Sequence, residues 1–182
     1  MQRRKFLSVT SLALAVGTVP KSKTKSELQK SFIVKTNEAR FGVHTPFMGV
    51  NPNDVKISGK DTNGQLAVFE YIGTQKVGPS FHVHFDQDEI FTVVEGEYLF
   101  QVGEKKDVLK AGDTIFLPRQ VPHTWIQLSD SGKLIYFLQP AGKMEEFFIK
   151  MSSFKEKPSA EEMDKIHAAH GMKVLGPPLS LK

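Results

Sequence analysis

The feature that most constrains this chain of 182 residues is a pair of histidines, His82 and His84, separated by one residue. Side chains along a β-strand alternate between its two faces, so two imidazoles at this spacing point the same way. Glu89 follows shortly afterwards, and His123 lies further along the chain. Three imidazoles and one carboxylate suit a mid-row divalent metal ion that keeps coordination positions open. The spacing therefore predicts a strand that carries two metal ligands.

The surrounding sequence predicts an all-β domain. Short β-favouring segments alternate with turn signals about every eight to twelve residues, which is typical of a sandwich or barrel. The predicted strands cover residues 65–72, 88–94, 98–102, 114–117, 123–128 and 133–139. We expect Gly96, between the second and third of these strands, to turn a hairpin.

The first group of ligands resembles the first sequence motif of the cupin superfamily. His82, His84, Glu89 and Gly96 fall in register with that motif. Gly78 stands four residues before His82, whereas the motif places its first glycine six residues before. The resemblance implies a double-stranded β-helix, which is a jelly-roll barrel, with the metal inside.

The stretch around the third histidine resembles the second cupin motif. Gly112, Pro118 and His123 match it, whereas Gln120 and Gln127 replace a glycine and an asparagine. These departures bear on the local turn shape more than on the ligands. By resemblance, one divalent Fe, Mn, Ni, Co or Cu ion is expected at the site, and the sequence does not choose among them. The expected metal ligands are His82, His84, Glu89 and His123.

Strand alternation extends the predicted site beyond its ligands, because residues two and four positions after an inward ligand also point inward. The residues at these positions would line an apolar, aromatic pocket that contains one amide side chain. A pocket of this kind suits a flat or apolar ligand better than a phosphorylated sugar. Inward aromatics of a barrel also commonly just fill the core, and both interpretations stay open. The expected substrate-pocket residues are Phe91, Val93, Trp125 and Gln127.

Changes in composition divide the chain into four predicted segments. Residues 1–20 form an export signal, 21–37 a linker, 38–142 the cupin barrel, and 143–182 a C-terminal helical extension and tail. In the extension, apolar residues at helical spacing predict one helix over 144–154. A second helix is expected to begin at Ser159 and to end before Gly171. Ser159 is the expected cap of this helix, with Glu162 three residues further on.

The N-terminal segment resembles a twin-arginine export signal. Arg3 and Arg4 precede Lys-Phe-Leu and a short apolar run, which is too rich in Ser, Thr and Gly to span a bilayer well. A general secretory signal is the alternative. We therefore expect a periplasmic or extracellular protein with no stable membrane insertion after signal removal, and a cytoplasmic location is the alternative.

Three further histidines are not expected to bind the metal. His167 and His170 are predicted to lie on the surface of the second helix, and His44 is predicted to be structural. The chain has no cysteine, which excludes disulfides, thiolate ligands and nucleophilic cysteine chemistry. Its net charge of +4 falls to about +1 without the export signal, so the charge gives no sign of nucleic-acid binding.

The resemblance favours a metal-dependent dioxygenase similar to quercetin 2,3-dioxygenase, acting on a small aromatic or enolisable substrate with dioxygen. In that role Glu89 is expected to act as a catalytic base. The main alternative is a non-catalytic cupin that binds a small molecule or metal. A sugar isomerase or epimerase is less favoured, because no basic cluster near the motifs offers a phosphate site. The resemblance also allows a homodimer, and the sequence leaves the oligomeric state open.

Overall fold

The computed structural model describes residues 30–156 and 158–181. The predicted export signal and most of the predicted linker lie outside these residues. The described elements are ten strands and two helices, in the order β1 Asn53–Ile57, β2 Ala67–Gly73, β3 Ser80–His84, β4 Asp88–Glu95, β5 Glu97–Val102, β6 Lys105–Lys110, β7 Thr114–Leu117, β8 His123–Gln127, β9 Gly132–Gln139, α1 Met144–Ser152, α2 Ala160–Ala169 and β10 Met172–Pro178.

The strands form two five-stranded antiparallel sheets. One sheet has the order β1-β2-β9-β4-β7, and the other has the order β10-β3-β8-β5-β6. Sequential strands repeatedly fall in different sheets, so the chain crosses between the two layers as it does in a jelly roll. This arrangement confirms the predicted all-β class with C-terminal helices.

The prediction that Gly96 turns a hairpin is wrong. The strands on either side of it do not pair, because β4 pairs with β7 and β9, whereas β5 pairs with β6 and β8. Gly96 instead lies where the chain passes from one sheet to the other, with φ of 85°. A Cβ atom here would lie 2.4 Å from Ser129 Oγ and 2.6 Å from the Ser131 carbonyl oxygen. The position therefore requires glycine for both its conformation and its close packing.

Aromatic rings fill the space between the sheets. The Trp125 ring meets Tyr71 edge-on at 5.1 Å and Tyr98 at 5.8 Å, measured between ring centroids. Phe91 stacks on Tyr136 at 4.9 Å. Aromatic pairs at these separations stabilise a core beyond the area they bury. Tryptophan, tyrosine and phenylalanine rings thus build the interior of the barrel.

The C-terminal tail is a strand of the barrel. β10 pairs antiparallel with β3, and Met172 lies opposite His84 while Val174 lies opposite His82. The sequence predicted only a tail here. Without β10, the strand that carries two of the predicted ligands would be an exposed edge of its sheet.

The two C-terminal helices agree with their predicted signals. Ser159 Oγ accepts a hydrogen bond from the backbone N–H of Glu162 at 3.2 Å, as expected for an N-cap. Gly171 follows α2 with φ of 76°, which is the conformation expected of a helix stop. None of the described helices is long and apolar enough to cross a membrane.

We expect Met172→Ala to lower the free energy of unfolding by about 2–5 kcal/mol, because it removes a buried side chain from the core. Met172 is 2% exposed and belongs to the main hydrophobic cluster. Urea denaturation measures the change. Leu175→Ala is the matched control, since Leu175 lies on the same strand and is 45% exposed. It should change the free energy by less than about 0.5 kcal/mol, and equal losses in both variants would contradict the role assigned to β10.

Candidate metal centre

Three strands bring the four predicted ligands together. His82 and His84 lie on β3, and His123 lies on β8 directly opposite His82. Glu89 comes from β4 in the facing sheet. One ligand atom from each residue falls within 4.8 Å of all the others. The sequence therefore identified the whole cluster found in the described residues.

Backbone carbonyls orient two of the imidazoles. His82 Nδ1 lies 2.8 Å from the Ser80 carbonyl oxygen, and His123 Nδ1 lies 3.0 Å from the Val121 carbonyl oxygen. A carbonyl only accepts, so both Nδ1 atoms carry the hydrogen in these contacts. In the neutral rings the Nε2 lone pairs then face the cluster, as a metal ligand requires.

A side chain orients the third imidazole. His84 Nδ1 lies 3.4 Å from Gln87 Oε1, and Gln87 Nε2 donates to the carbonyl oxygen of Ala141 at 2.7 Å. Since the Gln87 nitrogen is occupied as a donor, its oxygen is left to accept from His84. This contact also directs the Nε2 lone pair of His84 toward the cluster.

The burial of the cluster fixes its protonation. Burial, together with the neighbouring His123 and His84, lowers the pKa of His82 to about 3. Burial also lowers the pKa of His84. For Glu89, burial alone would raise the pKa, but His84 and His123 lower it to about 2. At neutral pH His82 and His84 are thus neutral and Glu89 is a carboxylate, which are the forms that bind metal.

The donor set fits a divalent cation. His82 Nε2 and His84 Nε2 lie 3.2 Å apart, and neither neutral ring has a hydrogen left on that nitrogen. His123 Nε2 lies 2.9 Å from Glu89 Oε2, which brings the third imidazole against the carboxylate. The facing Nε2 lone pairs of His82 and His84 repel each other unless a positive charge lies between them. A metal ion shared by the four groups would relieve this repulsion.

The loop before His123 explains one departure from the motif. Gln120 stands where the motif has glycine, and it adopts φ of 65°, the left-handed region that glycine favours. Its backbone N–H donates to the carbonyl oxygen of His84 at 2.7 Å. The turn shape is thus kept without the glycine, and the loop is tied to the end of β3.

The four predicted pocket residues all lie in the interior. Phe91, Val93 and Trp125 are 3%, 1% and 5% exposed and pack in the main hydrophobic cluster. Gln127 Nε2 donates to the Ser129 carbonyl oxygen at 2.9 Å, and Gln127 Oε1 has no partner among the described residues. Their inward orientation is as expected from strand alternation. Their contact with a substrate stays a prediction.

One prediction about the other histidines is wrong. His167 is 8% exposed, because its Nδ1 donates to the Met163 carbonyl oxygen at 2.7 Å and its ring meets Phe147 edge-on at 5.1 Å. His170 is partly buried against the same phenylalanine. His44 is exposed and pairs with a buried aspartate. None of the three belongs to the ligand cluster.

Sequence reasoning missed three polar side chains of the interior. Tyr136 Oη donates to Asn53 Oδ1 at 2.7 Å, and Asn53 Nδ2 has no partner among the described residues. Burial and the charge of Glu89 raise the pKa of Tyr136. Asn53 lies on β1, which carries no strand signal strong enough to place it. Gln87 was also missed, although its position three residues after His84 was a usable signal.

Comparison with known proteins agrees with the fold described above. Residues 68–138 match the family model of the cupin domain. An RmlC-like cupin from Shewanella frigidimarina is 21% identical with a TM-score of 0.51, over 62% of this chain and 94% of that one. The described chain has the cupin fold. KdgF from Halomonas sp. is a second structure with this cupin fold, at 15% identity and a TM-score of 0.50, over 61% of this chain and 94% of that one.

A curated relative extends the likeness in sequence. An uncharacterized protein of Methanocaldococcus jannaschii is 38% identical over 42 residues, which is 23% of this chain. The matched segment spans about a third of that protein, 34%. The family match and the solved structures show the cupin fold.

Acidification should destabilise the metal-free protein. The pKa of His82 is lowered from 6.5 to about 3 by folding, so below pH 6.5 the unfolded chain binds a proton that the folded one does not. This stabilisation is complete above pH 6.5 and is lost as the pH falls toward 3. The pKa of Glu89 is lowered from 4.5 to about 2, so the stabilisation that Glu89 provides is lost only over that lower pH range. Urea unfolding between about pH 7.5 and 5 should show a falling free energy of unfolding, at most about 1.4 kcal/mol per pH unit per histidine.

His82→Gln is the matched variant for this experiment, since glutamine does not titrate. Its free energy of unfolding should decline less steeply over the same range. Identical slopes for the two proteins would show that His82 is not the group responsible.

Proposed function

We propose that this chain is a metal-dependent dioxygenase that acts on a small aromatic or enolisable substrate. The observation that carries the metal dependence is the convergence of three imidazole Nε2 atoms and one carboxylate. The 3.2 Å contact between His82 Nε2 and His84 Nε2 is the sharpest part of it, because neither ring has a hydrogen to share there. Fe, Mn, Ni, Co or Cu would each accept these ligands.

The four ligands leave room for further groups on an ion that prefers more than four partners. When bound, such an ion would act as a Lewis acid that orients a substrate oxygen and stabilises its anion. Glu89 is ionised at neutral pH, since its pKa is lowered to about 2. A carboxylate of such low pKa is a weak base, and it therefore suits an acidic hydroxyl, such as that of a phenol or enol, better than an ordinary alcohol.

The interior beside the ligands favours a small, flat substrate. Phe91 follows Glu89 by one inward position on β4, and Trp125 follows His123 in the same way on β8. Their ring centroids lie 6.2 Å apart, and both rings are almost fully buried. Aromatic walls favour an apolar ring or a conjugated chain, and the close packing disfavours a large one.

A non-catalytic module that binds a metal or small molecule is the second candidate. The observation that favours it is the same close packing, because a filled interior leaves less space for turnover beside the ligands. Oxygen consumption separates the two functions, since a binding module takes up its ligand without consuming dioxygen.

The test compares the wild-type chain with His84→Ala and with His44→Ala as the matched control, because His44 is exposed and outside the cluster. Each protein is loaded separately with Fe²⁺, Mn²⁺, Co²⁺, Ni²⁺ or Cu²⁺, freed of excess metal and assayed for bound metal. Oxygen uptake is then followed with quercetin and with acetylacetone. We expect about one ion per chain and metal-dependent uptake in the wild type and His44→Ala, and neither in His84→Ala.

Metal binding without oxygen uptake on either substrate would contradict the dioxygenase and leave the binding module. The absence of stoichiometric metal from the wild type with all five ions would contradict both the dioxygenase and the metal-binding role.

We also propose that the protein is exported, on the basis of the Arg3-Arg4-Lys-Phe-Leu sequence. Replacing both arginines by lysine keeps the charge but removes the paired guanidinium groups. Retention of the double variant in the cytoplasm, with the wild type outside it, would support a twin-arginine signal. Export of both would contradict that signal, and retention of both would contradict export.

A further inference from the structure

Gln87 joins one ligand of the candidate metal centre to the segment between the barrel and α1. The side chain is 4% exposed. Its Oε1 lies 3.4 Å from His84 Nδ1, and its Nε2 donates to the carbonyl oxygens of Ala141 at 2.7 Å and Pro140 at 3.2 Å. Turning the amide over would place its oxygen against two carbonyls that cannot donate. The two carbonyls therefore hold the amide oxygen toward His84.

The space around Gln87 is shaped to keep this orientation. A Cβ atom at Gly142 would lie 2.4 Å from Gln87 Nε2 and 2.5 Å from its Cδ. Gly142 also has φ of 54°, which glycine adopts without strain. The missing side chain at this position lets the amide reach the carbonyl oxygens of the preceding two residues.

The three imidazoles differ in what sets their orientation. Backbone carbonyls accept from Nδ1 of His82 and His123, and no substitution of a side chain removes a carbonyl. The Nδ1 contact of His84 is made by a side chain. His84 is therefore the ligand whose orientation a single substitution can release.

We propose that Gln87 is a positioning residue of the metal centre. It holds His84 in the tautomer that carries the hydrogen on Nδ1, and it aims the Nε2 lone pair at the other ligands. Through its bonds to Pro140 and Ala141, it makes metal affinity depend on the segment that leads into α1. The effect on affinity rests on the proposed metal-binding function, whereas the tautomer of His84 is a property of the metal-free protein.

The test uses Gln87→Met in the full chain, because methionine has a similar length and no amide. Co²⁺ binding is measured by competition with a chromophoric chelator. Losing the hydrogen-bond partner of a metal-bound histidine typically weakens metal binding about 10- to 100-fold, and we expect a loss in that range. In the metal-free proteins, nitrogen NMR of the imidazoles should show His84 with its hydrogen on Nδ1 in the wild type. In Gln87→Met it should show a substantial share with the hydrogen on Nε2.

Thr45→Val is the matched control. Thr45 is 2% exposed and its Oγ1 donates to the Asn53 carbonyl oxygen at 2.6 Å, so the variant also loses a buried bond to a carbonyl. It should lower thermal stability but keep the wild-type affinity for Co²⁺ and the wild-type tautomer of His84. A general loss of stability is thereby separated from a loss of ligand orientation.

Wild-type Co²⁺ affinity and an unchanged His84 tautomer in Gln87→Met would overturn the proposal. If the wild-type chain itself fails to bind Co²⁺, the proposed metal-binding function fails for that ion. The comparison of tautomers then still decides for or against Gln87, so the two failures are distinguishable.

Discussion

The structure depends on one unfavourable arrangement, in which four ionisable side chains meet at contact distance between two sheets. Burying such groups costs free energy unless they are paired or bind a metal. The register that sets His82 opposite His123, and the facing position of Glu89, fix the separation of the donor atoms. A misplaced strand would leave buried polar groups without partners. The convergence of these four groups at one point therefore constrains the packing of both sheets.

The C-terminal extension helps to meet that demand. β10 covers the outer edge of β3, and the backbone N–H of Phe85, just after β3, donates to the carbonyl oxygen of Gly171 at 2.9 Å. On the other side of His84, Gln87 is bonded to the segment before α1. The extension thus contacts the ligand strand from two directions. It is part of the support of the site and not an appendage to a complete barrel.

The ligands could be predicted from the sequence because the relative positions of His82 and His84 depend only on their spacing along one strand. The alternation of a strand places His82 and His84 on one face whatever the rest of the fold does. Gly96 was misassigned because a turn signal does not reveal whether the next strand joins the same sheet. The pairing of β10 with β3 was missed because it joins distant residues, and because Pro177 and Pro178 are unusual in a strand. Local patterns do not encode such long-range pairing.

His167 shows a further limit of local reasoning. A histidine on a short polar helix is ordinarily exposed, and its burial here follows from contact with Phe147 of another helix. The same holds for the pocket. Alternation placed Phe91 and Trp125 inside, but only the packed structure shows how closely their rings meet.

Burial and close packing together set the chemistry available at the centre. Burial keeps His82 and His84 neutral, which is the form that binds a metal ion, and electrostatic interactions are stronger in such an interior than in water. Under the proposed function, the close packing of the rings limits which substrates fit. Asn53 Nδ2 and Gln127 Oε1 interrupt this interior with a donor and an acceptor that have no partner among the described residues. Under the proposed function, these two atoms would suit a substrate that carries polar atoms beside its apolar ring.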